Sequence, residues 1–131
     1  MTRVLTFDYD HSYHPAAPHI EITVDGYNSE YEPVTLSAFA DSGADGTMLP
    51  RDILEKVGAE YADTVVLRGT AGGVQHLDRY TVRIRIVGEA VHGIEAAATV
   101  PGGEPILGRD VLNAFVVTLN GPANVTEISL D

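Results

Sequence analysis

The sequence predicts an all-β domain carrying one or two short helices, and three observations lead there. Apolar and polar residues alternate over 20–24, where Ile20, Ile22 and Val24 are separated by Glu21 and Thr23. They alternate again over 77–87, where Tyr80, Val82, Ile84 and Ile86 are interleaved with Thr81, Arg83 and Arg85. Turn signals punctuate the chain at Asp25-Gly26, Pro101-Gly102-Gly103 and Asn120-Gly121-Pro122. Helix-like runs are confined to 50–57, where Ile53, Leu54 and Val57 share one face, and to 109–115.

At 131 residues the chain has room for one core and no second domain. Hydrophobic residues at 44 % and charged residues at 21 % are those of a globular protein. Eight Lys and Arg stand against nineteen Asp and Glu, a net charge of −11. Such a surface repels nucleic acid and anionic membranes, so neither is expected as a partner. The absence of cysteine excludes disulfides and thiolate chemistry and fits a reducing compartment. No run approaches the roughly 18 apolar residues of a membrane span. Asp8 follows Met1 too soon for a secretion signal, so the expected location is cytoplasmic.

Taken in order, residues 4–9 read as a short strand and 10–19 as irregular. We divide the chain into an N-terminal arm, 1–18, and a folded domain, 19–131. The arm and its junction hold His11, His14 and His19, with Asp8 and Asp10 nearby. That is a conceivable metal site, but Pro15 and Pro18 disfavour a ligand-bearing helix and no second histidine motif follows. The expected reading is a solvated arm with incidental histidines, and no metal or other cofactor.

The strand over 20–24 turns at Asp25-Gly26, and a polar loop over 27–32 leads to a returning strand over 34–40. That strand delivers Asp41-Ser42-Gly43-Ala44-Asp45. A carboxylate at the end of a buried strand is costly to desolvate, Ser42 adds a short hydrogen-bonding side chain, and Gly43 allows a tight turn. The helix over 50–57 begins at Pro50 and stops at Gly58, and its expected task is to cover one end of a barrel. Strands over 64–67 and 77–87 flank the glycine-rich tip Gly69-Thr70-Ala71-Gly72-Gly73-Val74, a hairpin signal. A strand over 91–100 follows. The glycine pair after Pro101 is no phosphate loop, since no Lys-Ser/Thr stands at the required spacing. Pro105-Ile106-Leu107-Gly108-Arg109-Asp110-Val111-Leu112 then opens the second helical stretch. Strands over 115–119 and 125–130 close the chain as a hairpin. Asp110 lacks the serine and glycine that follow Asp41, and is not read as a second acid of the same kind.

The acid loop, the glycine-rich hairpin and the Ile-Leu-Gly-Arg-Asp stretch, in this order over 35–115, resemble the retropepsin-like aspartic proteases. The resemblance implies a closed β-barrel of the acid-protease fold that works as a symmetric homodimer, because one chain holds only one Asp-Ser-Gly loop. It implies that Asp41 and its symmetry mate activate a water to hydrolyse a peptide bond. Ser42 is expected to bond across the two-fold axis, and Gly43 to receive substrate backbone through its carbonyl. Ala44 belongs to the same loop, and Asp45 is expected to pair with Arg109. Gly108 is expected to allow close packing behind the loop. Gly69, Thr70, Ala71, Gly72, Gly73 and Val74 would form a flap over an extended peptide, and Ile106, Leu49 and Val74 the pocket walls. The terminal strands are candidates for the dimer interface. The competing reading is a catalytically silent dimerisation or peptide-binding module on the same fold. A histidine-based metal protein is the weaker third.

Overall fold

The computed structural model describes residues 3–68 and 72–130. The strand over 20–24 is β2 (His19–Asp25), and it pairs antiparallel with β3 (Val34–Ala40). Two very short strands follow in the sheet. These are β4 (Met48–Pro50), which runs on into helix α1 (Arg51–Lys56), and β8 (Ile106–Leu107), which runs on into helix α2 (Arg109–Leu112). Between them in sequence lie β5 (Glu60–Arg68), β6 (Val74–Ile86) and β7 (Glu89–Thr99). The strand order is β2-β3-β8-β4-β7-β6-β5, and a further β2–β6 pairing closes the sheet on itself. Strand β6 is long enough for two tasks. Its first part pairs with β5 as a hairpin, and Arg83 to Arg85 pair with β2 at the barrel seam.

Alternation explains the core. Ile20, Ile22 and Val24 of β2 and Val82, Ile84 and Ile86 of β6 all point inward and are fully buried, while Glu21, Thr23, Arg83 and Arg85 between them are at least partly exposed. At the seam Arg83 pairs with Asp25 and stacks over the Tyr27 ring at 5.5 Å. A second, three-stranded sheet joins the chain ends. It has β1 (Arg3–Asp8) against β10 (Val125–Leu130), which in turn pairs with β9 (Val116–Asn120). The terminal strands therefore pair within one chain.

Both helices are shorter than their sequence patterns. Pro50 still belongs to β4, paired with Thr99, so α1 begins at Arg51. Past Lys56 the chain turns at Gly58, whose φ of 65° is one glycine adopts freely, and where a Cβ would meet the Tyr31 ring at 2.4 Å. After α2, tight turns from Ala114 to Val111 and from Phe115 to Leu112 replace the expected further helical turn. Strand β5 extends beyond its sequence pattern mainly at its start, over 60–63, and β6 extends toward the tip, over 74–76. There Glu60, Tyr61, Gln75 and His76 are solvent-exposed, so no buried face imprints alternation.

The parallel pairings position the site. Strand β3 runs parallel to β8, with Phe39 opposite Ile106 and Ala40 opposite Leu107. The chain therefore leaves β3 at Asp41 and leaves β8 at Gly108 side by side, although the two lie far apart in sequence.

Candidate active site

Asp41 opens a tight loop at the end of β3. Its N–H donates to the Leu107 carbonyl at 3.0 Å, and the preceding Ala40 N–H donates to the Pro18 carbonyl at 3.0 Å. One carboxylate oxygen, Oδ1, accepts the Gly43 N–H at 2.9 Å, and the Asp41 carbonyl accepts the Ala44 N–H at 3.1 Å. The side chain is thus aimed by its own loop while remaining half-buried; Ser42 and Gly43 are exposed beside it.

Behind the loop, α2 supplies the support. The Arg109 N–H donates to the Ala44 carbonyl at 2.9 Å, and Nη1 of its guanidinium donates to the Ser42 carbonyl at 2.7 Å. Nη2 of the same fork pairs with Asp45, as the family resemblance implied. That pair lies at the surface of the single chain, since the Asp45 side chain is 94 % exposed. Gly108 packs against the loop backbone so closely that a Cβ would stand 2.5 Å from the Gly46 carbonyl carbon.

Sequence reasoning missed two members of this support. Thr47 is buried and donates its hydroxyl to Asp110 Oδ1 at 2.7 Å, while its N–H donates to Asp110 Oδ2 at 3.1 Å. The same hydroxyl accepts the Gly108 N–H at 3.2 Å. Asp110 therefore clamps the loop from behind and faces away from any role as a second acid. Its only sequence signal was an acid in the first turn of a helix, which is too common to single it out.

The sequence pattern of the family described as Aspartyl protease matches residues 20–111, from β2 through the start of α2. The chain belongs to this aspartyl protease family. The solved structure of a retropepsin-like aspartic protease from Rickettsia conorii aligns with a TM-score of 0.61 at 18 % identity, over 98 % of this chain and 93 % of that chain. At that identity the likeness speaks for the fold, which is retropepsin-like. No curated protein sequence matches the chain.

In this aspartyl protease domain a cleft of about 660 Å³ opens beside the acid loop. Gly43 to Met48 form one side of it, and Val65, Leu67 and Leu77 of the β5–β6 hairpin another; Ile94 and Ala97 of β7 complete the apolar lining. The hairpin stands where the sequence placed a flap. Gly69, Thr70 and Ala71 lie outside the described residues, whereas Gly72, with φ of 82°, and Gly73 are in open space. The expected pocket walls need correction. Leu49 is 0 % exposed and belongs to the core, because strand alternation turns it inward and leaves its neighbour Met48 facing the cleft. Ile106 is half-buried between Phe39 and Met48, and Val74 is exposed beyond the lining, so neither borders this cleft.

The histidines separate by environment. His11 and His14 are exposed, while His19 is buried, with Nδ1 bonded to Ser37 Oγ at 2.9 Å. Its Nε2 faces Glu104 at 3.5 Å and Asp10 at 3.8 Å, and its ring lies between Tyr13 and Phe39. Among the described residues no three His, Asp or Glu side chains converge as metal ligands. The Glu104 carboxylate beside Tyr13 favours its neutral form and pushes the phenol up to about 12. His11 and His14 thus stay solvent-exposed, and the packed histidine is His19 of β2, held against Ser37 and Phe39 of β3.

Proposed function

We propose that the chain is a homodimeric aspartic endopeptidase whose water is held between Asp41 and Asp41 of the partner subunit. The observation that carries this is the loop itself. It holds a half-buried carboxylate, aimed by the Gly43 N–H and fixed from behind by Arg109, Thr47 and Asp110, and its following residues Gly43 to Met48 line an apolar cleft. Such a loop occurs once per chain, and the chemistry needs two carboxyls.

Two carboxyls within hydrogen-bonding distance share one proton, because both ionise together only at high cost. The ionised one takes a proton from the water as its oxygen bonds to the peptide carbonyl carbon, and the protonated one gives its proton to the carbonyl oxygen. The resulting diol collapses when a proton reaches the amide nitrogen and the carbon–nitrogen bond breaks. No covalent enzyme intermediate forms. The substrate lies extended in the cleft, beneath the β5–β6 hairpin, like an added strand. In this reading Ser42 bonds to the partner's loop, and its exposure in the single chain supports that role.

The test is cleavage of a peptide library across pH, with Asp41→Asn alongside. The expected profile is bell-shaped, since acid protonates the base and alkali strips the acid, and the variant is expected to be inactive with its fold intact. Binding of peptides without cleavage at any pH, or a variant within tenfold of the parent rate, would overturn the reading.

A further inference from the structure

The cleft changes character along its length. On the hairpin face, Val65 stands opposite Leu77, with Leu67 further toward the tip. One step on, Asp63 stands opposite Arg79 and Arg79 opposite Ala97, with Glu95 two residues from Ala97 on β7. The Arg79 guanidinium donates from Nε and Nη2 to the two oxygens of Asp63, at 2.7 and 2.6 Å, and Nη2 also lies 3.0 Å from Glu95 Oε2. Asp63 spends both oxygens on this fork. Glu95 spends one, and its Oε1 makes no hydrogen bond among the described residues. Arg79 and Glu95 both line the cleft.

We propose that this cleft selects peptides with a lysine or arginine two residues from an apolar side chain, the cation being received by Glu95. The proposal rests on the endopeptidase reading and adds its substrate class. Same-face side chains of a strand and of an extended peptide recur at one interval, about 6.5–7 Å. A peptide lying along the hairpin with an apolar side chain against Val65 and Leu77 therefore sets the second residue along beside the charged step. One guanidinium between two carboxylates leaves that step with a charge of −1. Asp45 and Asp110 also line the cleft, and the chain as a whole carries −11. An acidic side chain seeking Nη1 of Arg79 meets the flanking carboxylates, whereas a cation meets a step whose net charge is negative. In a two-fold dimer the same step recurs on the other side of the scissile bond, so the preference appears on both sides.

Peptides identical except for Lys, Gln or Glu at that position test the idea. The Lys peptide is expected to have a kcat/KM about fivefold above Gln, the upper range for an exposed ion pair, and further above Glu. The advantage should shrink as NaCl is raised from 0.05 to 0.5 M. Glu95→Gln is expected to bring Lys and Gln within twofold of each other, and Glu95→Asp to keep the order. Equal rates for the three peptides in the parent protein, or an undiminished Lys preference in Glu95→Gln, would overturn the proposal. The same peptides are titrated against Asp41→Asn by fluorescence anisotropy, which reads selection without chemistry. If nothing is cleaved but Lys still binds best, the selection stands and the endopeptidase reading fails. Binding without preference overturns the selection itself.

Discussion

Replacing Gly108 by alanine drives a methyl group into the backbone that carries the acid loop. The new Cβ would stand 2.5 Å from the Gly46 carbonyl carbon, 2.6 Å from its oxygen and 2.9 Å from its Cα. Ordinary carbon–carbon contact is about 3.5–4.0 Å, so relief requires roughly 1 Å of separation. The obstacle is backbone, which has no rotamer to turn aside. Separating α2 from the loop stretches two hydrogen bonds, Gly108 N–H to Thr47 Oγ1 at 3.2 Å and Arg109 N–H to the Ala44 carbonyl at 2.9 Å. Overpacking costs about 1–3 kcal/mol and each of the two stretched bonds roughly 0.5 kcal/mol, so about 2–4 kcal/mol in all. For a domain of this size that lowers Tm by about 10 °C. A displacement near 1 Å at the acid is also expected to lower kcat/KM by about 100-fold. Gly121→Ala is the control, since a Cβ there meets nothing within 4 Å. Thermal unfolding followed by circular dichroism gives the comparison. A Gly108→Ala protein melting within about 2 °C of the parent would refute the packing argument.

Thr47→Val keeps the volume but removes the hydroxyl that joins Gly108 to Asp110 in a buried setting. Denaturant titration should show a loss of about 1–3 kcal/mol, and an unchanged midpoint would contradict the clamp. Arg109→Lys should cost the isolated chain under about 1 kcal/mol, because its pair with Asp45 is solvent-exposed. Cleavage should suffer more, since a point charge cannot hold both Ser42 and Asp45 as the fork does; equal kcat/KM for the two proteins would deny Arg109 that role. Tyr13 is expected to ionise near 12 rather than at the ordinary 10.0, its neutral form being favoured in the fold. Its contribution to stability is thus complete below pH 10 and is lost as pH rises toward 12. Ultraviolet titration of Glu104→Ala should lose the late-titrating phenol, and a titration curve identical to the parent's would contradict the influence of Glu104 on Tyr13.

Much of this was legible where one face of an element is buried. Alternation marked β2 and the inner half of β6 because Ile20, Ile22, Val82 and Ile84 all face the core. The acid loop and the Ile106-Leu107-Gly108-Arg109 stretch were legible as a pair, and the β3–β8 pairing brings them together. That parallel pairing was not itself legible: strands of two and three residues have no period to read. The same shortness hid the phase of β4, so Leu49 was expected in the cleft where Met48 stands. The hairpin strand ends over 60–63 and 74–76 escaped because most of their side chains are solvent-exposed. Thr47 and Asp110 escaped because their bond spans 63 positions and neither residue type is distinctive alone.

The central claim is that one chain carries half of an active site. Initial rates over a hundredfold dilution, with sedimentation under the same conditions, test it most directly. Specific activity should fall as the mass drops from twice 14.0 kDa to the single-chain value, following the dimer dissociation constant. Rates strictly proportional to concentration, from a species sedimenting at 14.0 kDa throughout, would contradict a shared pair of Asp41 carboxyls.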